Sequence, residues 1–141
     1  MIRRASAVWQ GDLRSGNGTM TAPSGVMTNA AYSFATRFEE KPGTNPEELI
    51  AAAHAGCFSM AFSAELAKAG MTPVRVETTA AVTLETVDGK PTVTKSHLTV
   101  KAKVPGADQA KFLEVANGAK AGCPISRLLK AEITMEATLE S

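Results

Sequence analysis

The sequence predicts an α+β domain, with strands and helices in blocks and not in regular βαβ units. Three observations predict it. A long apolar stretch, "NPEELIAAAHAGCFSMAFSAELAKAG", carries helix signals at both ends. An alternating stretch, "VRVETTAAVTLETVDGKPTVTKSHLTVKAKV", breaks once, at Asp88 and Gly89, as a hairpin does. The final "AEITMEATLE" alternates strictly and closes the chain as a strand. No internal repeat or linker interrupts the 141 residues, which read as one domain over 1–141.

Taken in order, "IRRASAVW" is a first strand, "GDLRSGNG" a glycine-rich turn, and "GTMTAPS" a second, weaker strand. In "YSFATRF", Tyr32, Phe34, Thr36 and Phe38 fall on one face of an expected strand. That alternation turns Arg37 away from the aromatics. The long helix opens with Asn45 as N-cap, Pro46 at its first position, and Glu48 where a capping-box carboxylate reaches back. Glu47 and Glu48 favour its positive end. It runs to about Lys68 and stops at Gly70. Apolar nearly all the way round, it asks for burial on most sides, more than one chain of this size can supply, which points to a dimer. In the hairpin, Val74, Val76, Thr78, Ala80, Val82 and Leu84 face inward, answered by Leu98, Val100 and Ala102. A second helix, "QAKFLEVANGAKAG", leads to a short third one opened by Pro124. Ile133, Met135, Ala137 and Leu139 form the inner face of the last strand.

Charge narrows the function classes. Fifteen Lys and Arg stand against 14 Asp and Glu, and no basic run exceeds Arg3 and Arg4. Nucleic acid and anionic membrane surfaces are therefore not expected partners. The N-terminus lacks the apolar core of a signal peptide, and the apolar stretch around 49–62 is interrupted by His54 and Ser59. A cytoplasmic location is expected, where thiols stay reduced.

Two cysteines then need an explanation. Cys123, in "AGCPIS", sits where a helix begins, and unpaired N–H groups there lower a thiol's pKa; read alone, it better suits a small residue in a tight helix–helix turn. Cys57 lies about three turns into the long helix, too far for that dipole, and apolar surroundings should raise its pKa. Read alone it is core packing. His54, three residues earlier, shares its helix face as a Cys–His pair would, although a helical histidine more often serves as a hydrogen-bonded packing residue. The two cysteines stand 66 positions apart with no short ligand spacing, which argues against zinc. No CxxC, phosphate loop or GxSxG elbow is present.

Taken together, "GTNPEELIAAAHAGCFSMA" and the later "AKAGCPISRLLKAEI" resemble the OsmC/Ohr family, specifically its osmotically inducible protein C branch. The resemblance runs from "VWQGDLRSGNGT" through "FATRFEEKPGTNPEELI" to the last strand. It implies an OsmC-like fold, antiparallel β-sheets around the long central helix in an intertwined homodimer with active sites at the subunit interface. It implies a peroxidase that reduces organic hydroperoxides, and hydrogen peroxide more weakly, with no metal, haem or flavin cofactor. By the same resemblance Cys57 matches the peroxidatic cysteine, Cys123 the resolving one, Glu47 the family's acidic residue and Arg37 the branch's arginine. The Ohr branch takes its arginine from an earlier loop, where this chain offers Arg14. Gly56 stands where the branch has alanine.

Physical chemistry fits these roles together. A guanidinium beside Cys57 would favour its thiolate and hold the peroxide, and Glu47 would orient that guanidinium. Residues 47 and 57 are separated by ~15 Å along one helix, so a carboxylate of one chain serves the thiol of another if two copies of the helix cross near 51–53. Phe34, Phe38, Phe58, Met60 and Phe62 are candidates for an apolar substrate pocket, each with the alternative of being core. An external dithiol would restore the thiols, and the family points to lipoyl groups. A non-catalytic binder of apolar ligands and a thiol redox sensor are the rival readings.

Overall fold

Every residue from 1 to 141 is described in the computed structural model, and the chain groups into two units, Met1–Leu49 and Ile50–Ser141. In the first unit, β1 (Ser6–Gln10), β2 (Asn17–Thr21) and β3 (Ala30–Tyr32) form an antiparallel sheet in that order. Its register sets Gly18 of β2 between Trp9 and Tyr32, whose ring centroids are 5.5 Å apart. A Cβ at position 18 would fall 2.6 Å from the Tyr32 ring and 2.8 Å from the Trp9 ring. Only glycine leaves those rings room to meet.

The next stretch departs from the expected strand. Residues Phe34–Phe38 form a short helix, α1. Ser33 is extended and caps it reciprocally: the Thr36 N–H donates to Ser33 Oγ at 3.3 Å, and the Ser33 N–H to Thr36 Oγ1 at 2.9 Å. Over five residues two satisfied backbone donors outweigh an aromatic alternation. The helical turn brings Phe34 and Phe38 together, centroids 5.0 Å apart, and sets the Arg37 guanidinium 5.1 Å from the Phe38 ring centroid. Arg37 thus lies with the aromatics and not away from them.

Helix α2 spans Pro46–Lys68. Asn45 caps it as expected, its Oδ1 accepting the Glu48 N–H at 2.8 Å, while its amide donates to the Thr36 carbonyl at 3.0 Å. The Met71 N–H closes the other end on the Leu66 carbonyl at 2.9 Å. Burial on most sides is not found within one chain. The buried residues are His54, Phe58, Phe62 and Leu66, a single stripe at every fourth position. Ala53, Gly56, Met60, Ala64 and Ala67 lie exposed, Met60 at 78%. At 23 residues α2 has the length and apolarity to cross a membrane, more than the interrupted stretch at 49–62 promised. Its buried stripe is that of a core helix.

In the second unit, β4 (Arg75–Val87) and β5 (Lys90–Lys103) make the expected hairpin. Asp88 and Gly89 turn it with φ of 51° and 75°, the two positive values of a type I′ turn. Helices α3 (Gln109–Gly122) and α4 (Pro124–Leu128) then carry the chain back, and β6 (Glu132–Glu140) pairs with β5 in parallel. The expectation of purely antiparallel sheets therefore fails at this one pair, because alternation specifies a strand's faces and not its direction. Leu98, Val100 and Ala102 of β5 pack with Phe58, Phe62 and Leu66 of α2 and with Phe112, Ala116 and Ala119 of α3. This core positions the thiols.

Candidate active site

Cys57 and Cys123 come together in that core. Cys57, beside the buried stripe of α2, is half-buried, and Cys123 is fully buried. Cys123 is the joint between two helices. Its N–H ends α3 on the Ala119 carbonyl at 2.9 Å, and its own carbonyl accepts the Arg127 N–H of α4 at 3.0 Å. Both cysteines are free, and despite their separation in sequence they pack at the same core, where the Cys123 thiol bears on the proton affinity of Cys57.

Burial pushes the Cys57 thiol above its ordinary pKa. The Ile125 backbone N–H works against that rise, and the Cys123 thiol adds to it. One neutral N–H does not outweigh the loss of water, so these neighbours alone leave the sulfur protonated at neutral pH.

A charged pair belongs to the first unit. Arg37 Nη2 donates to Glu47 Oε1 at 2.8 Å, and its Nε reaches both carboxylate oxygens at 3.2 Å. The Arg37 side chain is 37% exposed and that of Glu47 only 12%. The first turn of α2 offers Glu47 and the last turn of α1 offers Arg37, so two helix ends hold the fork in place. Arg14 is engaged otherwise. The Asp12 carboxylate accepts the N–H groups of Arg14 and Ser15 at 2.9 and 2.8 Å, and the Arg14 guanidinium rests 4.7 Å from the Phe34 ring centroid. Of the two arginines, Arg37 is the one joined to Glu47.

The five residues named for an apolar pocket divide. Phe34 and Phe38 line a cavity of about 280 Å³ with Trp9, Leu13, Tyr32 and Arg37. Phe58 and Phe62 do not: both are fully buried, their rings tilted against each other at 5.5 Å, with Phe62 edge-on to Phe112. Met60 lies on the uncovered face of α2. A helix apolar all round gives no sign of which side its own chain covers.

His54 is not free to act as a base for Cys57. It is fully buried, and both ring nitrogens are taken: Nδ1 lies 2.6 Å from Ser96 Oγ of β5, and Nε2 lies 2.8 Å from Ser126 Oγ of α4. Burial holds its pKa below the ordinary value. No group of three or more His, Cys, Asp or Glu side chains converges to hold a metal. Ser96, Ser126 and Ile125 escape the sequence reading. Ser96 shares the parity of Leu98 and Val100, and His54 the spacing of Phe58 and Phe62, so a polar residue on each apolar face was the available signal.

Comparison with known proteins gives this geometry a context. The family model described as "OsmC-like protein" matches residues 38–138. The chain is 50% identical to Peroxiredoxin OsmC of Escherichia coli (strain K12), covering 99% of this chain and 97% of that protein. It is 33% identical to the "Organic hydroperoxide resistance protein-like" protein of Mycoplasma pneumoniae, covering 81% of this chain and 84% of that one. The crystal structure of an OsmC-like protein from Mycoplasma pneumoniae superposes with a TM-score of 0.76, at 15% identity, over 100% of this chain and 99% of that one.

Proposed function

This chain belongs to the OsmC-like protein family and is a thiol peroxidase of that family, and we propose that it reduces organic hydroperoxides, and hydrogen peroxide more weakly, through Cys57. One observation carries the reading: two free thiols remote in sequence pack at the same core, Cys123 at the start of α4 and Cys57 against it. In the proposed cycle the Cys57 thiolate attacks the peroxide, the O–O bond breaks, and the departing alkoxide takes a proton to leave as alcohol. The Cys57 sulfenic acid then reacts with the Cys123 thiol, forming a disulfide and releasing water. An external dithiol, of which a lipoyl group is one, reduces the bridge. The cycle runs on sulfur and calls on no metal, haem or flavin.

The thiolate requires a cation, because burial alone opposes it. Arg37, held by Glu47, is the proposed source, and it would also steady the peroxide oxygen as charge develops. The cavity beside Arg37, walled by Phe34 and Phe38, suits an alkyl chain. We further propose a homodimer in which α2 crosses its copy, so that Arg37 and Glu47 of one subunit serve Cys57 of the other. The exposed small residues Ala53, Gly56 and Ala64 support a close approach there. We also propose a cytoplasmic site of action, where a supply of reduced dithiol sustains the cycle.

Consumption of cumene hydroperoxide with excess dithiol tests this. The expected result is many equivalents consumed per chain, abolished by Cys57→Ser. Consumption of one equivalent would mark a redox sensor, consumption of none would mark a binder of apolar ligands, and undiminished turnover by Cys57→Ser would refute the assignment.

A further inference from the structure

Helix α4 carries the Ile125 N–H that favours a Cys57 thiolate, and its first residue follows Cys123, yet little holds it. It is five residues long, none of them buried, and its starting cap makes no side-chain hydrogen bond. Ile125 packs only partly against the core. Its one side-chain hydrogen bond to the interior is from Ser126 Oγ, 2.8 Å from His54 Nε2. The other nitrogen of that ring is fixed by Ser96 Oγ at 2.6 Å, on the central strand β5. A neutral imidazole donates through one nitrogen and accepts at the other, and a hydroxyl takes either part, so both bonds form together. The imidazole is a strut from the sheet, through α2, to α4.

We propose that His54 is a positioning residue: by holding Ser126 against the sheet-anchored ring, it seats α4 so that the Ile125 N–H meets the Cys57 sulfur and Cys123 stays beside it. The inference rests on the peroxidase reading for its purpose but not for its geometry. His54 touches no substrate and moves no proton. It sets two quantities at once, the proton affinity of Cys57 and the speed with which Cys123 answers the sulfenic acid.

Ser126→Ala is the decisive variant, since Ser126 is half-buried and its loss leaves the packed stripe of α2 in place. The pH dependence of iodoacetamide alkylation at Cys57, assigned by mass spectrometry, reads the thiol directly. The Cys57 pKa should rise by about one unit in Ser126→Ala, and Ser126→Thr should keep the wild-type profile. Stopped-flow formation of the disulfide after one equivalent of peroxide should slow about tenfold in Ser126→Ala. His54 itself gives a second test. Gln at position 54 reaches where Nε2 lay and can keep Ser126, whereas Asn reaches only toward Ser96. His54→Gln should therefore stay near wild type in the alkylation profile, and His54→Asn should follow Ser126→Ala. A Cys57 profile unmoved by folded Ser126→Ala, or Gln and Asn variants that shift it equally, would overturn the proposal. Wild-type protein that consumes no peroxide, with a Ser126→Ala variant that still shows the alkylation shift, would sink the peroxidase reading and leave the strut standing.

Discussion

The second unit holds both cysteines, and the first holds the Arg37–Glu47 pair and no thiol. Cys57 and Cys123 lie among Phe58, Ile125 and the core, where burial pushes Cys57 up and one backbone N–H opposes it. Arg37 and Glu47 form their three-contact fork at the ends of two helices, partly open to water and with an aromatic-lined cavity alongside. Neither region alone is equipped to break an O–O bond. An apolar setting makes a cation more effective but supplies none, and a guanidinium fixed by a carboxylate is oriented but has nothing to activate. In the proposed dimer the two kinds of site are completed by each other.

That contrast can be attacked from its charged side first. Arg37→Met removes the cation and keeps the aliphatic bulk. Turnover with cumene hydroperoxide should fall roughly 100- to 1,000-fold at neutral pH. The sign is fixed by the thiol: without its cation Cys57 ionises later, so the lost rate should return as pH rises. A neutral-pH rate within twofold of wild type would divorce the two regions. Glu47→Gln keeps the cation and loosens it, and should cost about tenfold, mainly in kcat/KM.

The apolar side is probed by acid. His54 is held below the ordinary histidine value of 6.5, so the unfolded chain binds a proton that the folded one refuses. Its contribution to stability is complete above that value and drains away as pH falls through the lowered one. The melting temperature should drop by about 2–4 °C for each ~1 kcal/mol lost, and His54→Gln should flatten the slope. Gentlest of the tests is Gly56→Ala. Within one chain a Cβ at this exposed position of α2 meets nothing within 4 Å, and helix propensity alone favours it by about 0.5–1 kcal/mol. In the proposed dimer the copy of α2 presses on this face, so chemical denaturation should show that gain cancelled or reversed; the full gain would mean that no second copy approaches here.

Much of the scaffold was legible in the sequence where short-range chemistry decides it. Asn45 and Pro46 start α2, Asp88 and Gly89 turn the hairpin, and Pro124 opens α4. Two of the failures share a cause, which is that partners distant in sequence decided them. The direction of β6 depends on a crossover, and the buried side of α2 depends on what the sheet and α3 offer it. At α1 the error was local: the Ser33–Thr36 cap was present in the sequence and lost to a stronger aromatic rhythm. In the candidate site, the cysteines and the Arg37–Glu47 pair were nameable from resemblance. The hydroxyls that hold His54 were not, because Ser96 and Ser126 lie 42 and 72 positions away from it.

The unequal depth of the two sulfurs has its own implication for traffic. Cys123 has no surface to present, whereas Cys57 has some. In the proposed cycle a reductant approaching the oxidised bridge meets only the outer sulfur, so the transient adduct it forms is with Cys57, and Cys123 is expelled inward. Oxidant and reductant must then use a single doorway in turn, and an excess of either should obstruct the other.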